Sequence, residues 1–155
     1  MNTRRVLLLA AVGAALAAGC GEDDDDQAGL SRADYIAKAN ASCAKHEKKA
    51  GAAFPRIIGS GTPTAAEAQR FLSEAVVPAL RDGAEERARI PAPEGDEERI
   101  RAINAAARKA VANFEGIAAD RSKSRALMLG KADDPATEVD TLNRRYGVDK
   151  CGGGE

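Results

Sequence analysis

Apolar and small side chains recur at three- and four-residue steps through most of the chain after residue 30. That period predicts helices with one buried face. In the first segment the face carries Ile36, Ala39, Cys43, Ala50, Ala53 and Phe54. Ser31, with Asp34 three residues on, makes a capping-box-like start, and Pro55 closes a helix over 32–54. Gly59, Gly61 and Pro63 read as a loop. Thr64 and Glu67 form a second capping box, ahead of Phe71, Leu72, Ala75, Val76, Ala79 and Leu80 on one face. This second helix runs to about Arg89. Pro78 should kink it about one turn earlier, and Gly83 should weaken it.

Ile90-Pro91-Ala92-Pro93 is a stiff turn. A third helix starts near Asp96, with Asp96, Glu97 and Glu98 in a first turn where the helix dipole favours anions. Its stripe of Ile100, Ile103, Ala107, Ala110, Val111, Phe114 and Ile117 is the clearest in the chain. Residues 126–129 suggest a short helix within a less regular stretch. Asp134-Pro135 places a cap and then Pro at the first position of a last helix, whose apolar face is Val139, Leu142 and Tyr146. Gly147 suits a left-handed C-terminal cap, with Val148 as its hydrophobic contact.

The expected fold is therefore all-α: a small up-down bundle of three long helices plus a short fourth. Short connections make neighbours antiparallel. Composition agrees. The 155 residues include 34 Ala, three Phe, two Tyr and no Trp, so a strand-based core lacks its usual β-branched and aromatic material. Ala-lined faces let helices approach closely, which should leave little internal volume.

The start of the chain follows a different pattern. Arg4 and Arg5 precede an uncharged run from Val6 to Leu16, then Ala17, Ala18, Gly19 and Cys20. A basic head, a short apolar core and small residues at the exit make a secretory signal peptide over residues 1–19. The run is shorter than the roughly 20 residues of a membrane-spanning helix. Leu16-Ala17-Ala18-Gly19-Cys20 resembles the lipobox of bacterial lipoproteins. That resemblance implies cleavage before Cys20, a diacylglyceryl group on its thiol, and an extracytoplasmic location on the membrane. Residues 20–30 then form a linker, because Glu22, Asp23, Asp24, Asp25 and Asp26 repel one another and cannot pack. Residues 31–151 are the bundle domain, and 152–155 a disordered tail.

Lipidation of Cys20 leaves Cys43 and Cys151, an even pair in an oxidising compartment. The last helix should start at the end of the bundle far from the membrane. It should exit at mid-height, where Cys43 lies, so a disulfide is expected. A zinc site of Cys43, His46, Cys151 and a carboxylate is the sharper alternative. His46, the only His, is otherwise a bystander at the helix surface.

Little else points to chemistry. No G-x-S-x-G elbow, phosphate loop or C-x-x-C is present, so catalytic residues and cofactors are expected to be none. Charged residues fall at ion-pair spacing, as in Glu85 with Arg89 and Glu97 with Arg101. The bundle domain carries 21 basic and 18 acidic residues and no aromatic stacking platform, which argues against nucleic acid. Lys45, Lys48, Lys49, Arg56, Arg121, Lys123, Arg125 and Lys131 gather toward the distal end, where a protein or anionic envelope polymer could dock.

Three motifs carry a looser resemblance over the whole bundle domain. They are Tyr35-Ile36-Ala37-Lys38-Ala39 leading to Cys43, Pro78 before Ile90-Pro91-Ala92-Pro93, and Tyr146-Gly147 leading to Cys151. The chain resembles small helical lipoproteins and secreted proteins of actinobacteria, which implies no activity or ligand. Two readings stand. One is a non-enzymatic, surface-anchored module binding a protein or envelope polymer. The other is a bundle carrying a small ligand or metal near Cys43 and His46. The interior beside those two residues, packed or hollow, separates them.

Overall fold

The structure, a computed structural model, describes residues 29–151. The leader, Cys20, the acidic run and residues 152–155 lie outside it. All the regular structure among the described residues is helical, and none of these helices is long and apolar enough to cross a membrane.

Helix α1 (Arg32–Gly51) starts as expected, with Ser31 Oγ accepting from the Asp34 N–H. It ends three residues before Phe54. Pro55 then sits inside a single-turn helix, α2 (Phe54–Ile57), rather than closing α1. Proline fits there because the first turn of a helix needs no N–H. Helix α3 (Ala65–Phe71) begins at the Thr64–Glu67 capping box, with both halves of the reciprocal pair formed. It continues through a π turn, Leu72–Val76, into α4 (Val77–Ala88). The Val77 N–H reaches back five residues to the Leu72 carbonyl. The irregularity expected from Pro78 therefore takes the form of a widened turn just before it.

Helix α5 (Glu97–Ala118) buries Ile100, Ile103, Ala107, Ala110 and Phe114, while Val111 and Ile117 are half-buried. Helix α6 (Arg121–Met128) starts at Asp120, whose carboxylate accepts from the Ser122 and Lys123 N–H groups. Helix α7 (Thr137–Tyr146) begins two residues later than expected. Asp134 spends its carboxylate on the Ala136 N–H in a turn, so Pro135 lies before the helix. At its end Gly147 is left-handed at φ 99°, and the Val148 N–H returns to the Asn143 carbonyl. Val148 itself is 1% exposed.

Cross-helix ion pairs mark the antiparallel order. Lys49 and Lys45 on α1 meet Asp82 and Glu86 on α4, at 2.7 and 2.8 Å. Arg81 on α4 pairs with Glu115 on α5, and Lys109 on α5 with Glu138 on α7. Being exposed, these pairs set register more than they add stability. At the end of α4, its C-cap Arg89 and Glu85 stand 3.6 Å apart as the spacing suggested. Glu97 instead accepts from the Gly95 N–H, not from Arg101.

The buried residues form two clusters. The lower one joins Tyr35 and Ala39, Ala84, Ile100, Ile103 and Val139 with Tyr146 and Val148. The upper one holds Leu72, Val77, Phe114 and Ala118, flanked by Leu80 and Leu127. Every member of both lies within residues 30–151.

Candidate functional site: a cavity between the two cores

Cys43 sits in the middle of α1, and Cys151 stands beside it with the two Cα atoms 5.0 Å apart. That is disulfide distance, across a sequence separation of 108. The route to the pair differs from the expected one. Lys109 pairs with Glu138 in the first turn of α7, and the Tyr146 hydroxyl reaches Asp96 at the start of α5. Helix α7 therefore begins at mid-height and descends to the base of the bundle, because α6 and the loop after it use the upper half. Residues 147–151 then climb back along α1, with the Lys150 N–H on Asn40 Oδ1 at 3.0 Å.

One turn beyond Cys43, His46 is 8% exposed, not a surface bystander. It is wedged between α1 and α4, because Gly83 presents no side chain there. A Cβ on Gly83 would lie 3.4 Å from both Cγ and Cδ2 of the imidazole. His46 Nε2 is 2.7 Å from Glu86 Oε2, which also accepts from Lys45. Lys45 and His46 together hold the Glu86 carboxyl below its ordinary range. The other ring nitrogen, Nδ1, is buried with no hydrogen-bond partner among the described residues.

A cavity of about 370 Å³ opens beside this histidine. Val76, Ala79, Leu80 and Phe114 make its apolar wall, and Cys43 with Cys151 closes one side. Glu47, Asp134 and Lys150, all exposed, are its outer polar lining. The Ala-lined faces were expected to leave little volume, yet Ala50 and Ala79 line this hollow. Ala50, Gly51, Ala79, Gly83 and Ala136 are too short to fill the seam between the upper and lower cores.

Two charged side chains reach the cavity from inside. Arg87, one turn after Gly83, is 9% exposed, and its Nε and Nη1 have no partner among the described residues. Desolvation lowers its pKa, against weaker pulls from Tyr35 and Asp140. Asp140, in the first turn of α7, has an equally buried and unpartnered Oδ1. Burial, then the neighbouring Asp134, pushes its carboxyl up. Arg87 and Asp140 line the same cavity without forming an ion pair with each other.

The alternative zinc set of Cys43, His46, Cys151 and a carboxylate does not assemble. The two cysteines face each other at disulfide distance, and His46 engages Glu86. Among the described residues no three His, Cys, Asp or Glu side chains group as metal ligands would. At the distal end Lys45 and Lys49 are committed to Glu86 and Asp82, while Arg121 and Arg125 donate to Gln69 Oε1 and the Pro63 carbonyl.

Sequence reasoning missed Arg87 and Asp140. A signal was present: Val76, Leu80, Gly83 and Arg87 fall at four-, three- and four-residue steps. That spacing puts an Arg in phase with the buried face. Searches of protein-family models, curated proteins and solved structures return no match for this chain.

Proposed function

We propose that this chain is a lipid-anchored, extracytoplasmic binding module, non-enzymatic, whose helical bundle holds a small ligand in the cavity beside Cys43 and His46. The lipid anchor at Cys20 and the location rest on the leader pattern and its resemblance to a lipobox. An oxidised Cys43–Cys151 pair agrees with such a compartment.

The ligand reading rests on one observation. Arg87, His46 and Asp140 all line the cavity between the cores, and each carries a buried polar atom that has no partner among the described residues. Buried polar groups are nearly always hydrogen-bonded, and a buried charge without a partner is costly. A site that keeps three of them around a hollow with apolar walls has the make-up of a small-molecule pocket.

The test compares protein purified from its own cell envelope with the same protein after unfolding, exhaustive dialysis and refolding. A ligand that binds only the folded state raises stability by about 2.7 kcal/mol at a hundredfold excess over Kd. The refolded sample should therefore melt lower. Identical melting temperatures count against the ligand reading. Cys20→Ser should separately abolish incorporation of labelled fatty acid and release the protein from membranes.

A further inference from the structure

Resting on that cavity reading, we infer that the ligand is a zwitterion with an apolar body, of the chemistry of a large apolar α-amino acid. Its carboxylate meets Arg87 and its ammonium meets Asp140. The argument starts from the two unpartnered groups. Arg87 and Asp140 carry opposite charges, and their Nε and Nη1 donors and Oδ1 acceptor are buried without a partner among the described residues. Both line one cavity, and they do not pair with each other. A purely anionic ligand satisfies Arg87 but brings like charge to Asp140, with Asp134 close behind. A purely cationic one reverses the fault. Adjacent carboxylate and ammonium groups answer both, and the planar guanidinium fork matches carboxylate geometry.

Size and walls set the rest of the molecule. At about 370 Å³ the cavity lies at the small end of the range of ligand pockets, which suits a molecule of amino-acid size. Phenylalanine and leucine are of that order. Val76, Ala79, Leu80 and Phe114 offer the apolar side chain an apolar wall. His46 also lines the cavity, and its Nδ1 is likewise buried without a partner among the described residues.

Both cores, the cysteine pair and every residue lining the cavity lie within residues 29–151, so residues 21–155 contain everything that packs among the described residues. Calorimetry on that chain, unfolded and refolded to strip ligand, would use L-phenylalanine, 3-phenylpropanoate and 2-phenylethylammonium. The amino acid should bind, and each truncated analogue should bind about ten- to a hundredfold more weakly, the scale of a hydrogen bond to a charged group. Arg87→Gln should erase the preference over 2-phenylethylammonium, and Asp140→Asn the preference over 3-phenylpropanoate. Arg87→Gln should also melt no lower than the stripped wild type, since it removes a buried unpaired cation. If it fails to fold, Arg87→Lys serves instead: the charge stays, the fork is lost, and binding should weaken with the preference kept. Equal binding of 3-phenylpropanoate, unaffected by Asp140→Asn, would overturn the zwitterion while leaving a ligand cavity in place. No binding of any probe at millimolar concentration also overturns it. If refolding then leaves the melting temperature of envelope-derived protein unchanged, the cavity reading falls too.

Discussion

Gly83 on α4 lies against the imidazole of His46 on α1, at a separation that one added methyl group would just fill. This contact seats His46 on Glu86 and leaves the cavity open at its side. Gly83→Ala should be tolerated, because a Cβ there would be in ordinary van der Waals contact. It should stabilise by about 0.5–1 kcal/mol, the usual cost of Gly in a helix interior. Gly83→Leu must displace His46 and intrude on the cavity, and should cost about 1–3 kcal/mol. Thermal unfolding followed by circular dichroism distinguishes the two. Equal effects would show that the helices can slide apart at this contact.

Tyr146 at the base of α7 ties α7 to α5 and α1. Its hydroxyl donates to Asp96 Oδ2 at 2.8 Å, its ring stands edge-on to Tyr35, and the Arg32 guanidinium lies 4.6 Å from its centroid. Burial, then the bond to Asp96, pushes its pKa up from 10.0 to about 12. The Tyr146 bond, with help from Arg99, holds Asp96 below its ordinary range. A raised pKa in the folded state means that the Tyr146 contribution is whole below pH 10 and is lost as pH rises from 10 toward 12. A lowered one means that the Asp96 contribution is whole above the unfolded carboxylate range and is lost as pH falls through it. Tyr146→Phe should cost about 1.5–3 kcal/mol at neutral pH. It should also flatten the decline of melting temperature between pH 10 and 12. An unchanged alkaline profile in the variant would refute the assignment.

The Cys43–Cys151 pair joins the middle of α1 to the segment that follows α7. Cys151→Ser, or reduction, should lower the melting temperature. The chain-entropy model puts the effect of a loop this long at up to about 4.7 kcal/mol, a large share of a typical total of 5–15. Thiol titration of the unreduced protein should find neither cysteine free. Two free thiols, with a melting temperature indifferent to reductant, would contradict an oxidised pair.

The helices were legible because their signals are local. Ser31, Thr64 and Gly147 cap as the sequence suggested. The stripe of Ile100, Ile103 and Phe114 faces the core. Replacing Ile103 or Phe114 with Asp should therefore unfold the domain, while Arg108→Asp on the exposed side should cost little. Equal tolerance at the three positions, read by circular dichroism, would refute the assigned face. The site was less legible, because it depends on how elements meet. Asp96 resembled a dipole-favoured first-turn acid, yet its carboxylate serves Tyr146 and Arg99, fifty and three residues away. Burial of His46 follows from Gly83 on another helix. Small residues favour close approach and also leave gaps, and the sequence alone does not choose between the two. Here Val76 in the π turn, and Asp134 and Ala136 ahead of α7, line the cavity.

The most direct measurement is native mass spectrometry of the protein released gently from its own envelope, alongside a Leu80→Trp variant. Leu80 lines the cavity, and the larger ring, the first Trp in the chain, should occupy it. The account predicts a one-to-one adduct of a small molecule on the wild type and none on the variant, with both folded. Bare protein in both samples, or the same adduct on both, would contradict a ligand held between the two cores.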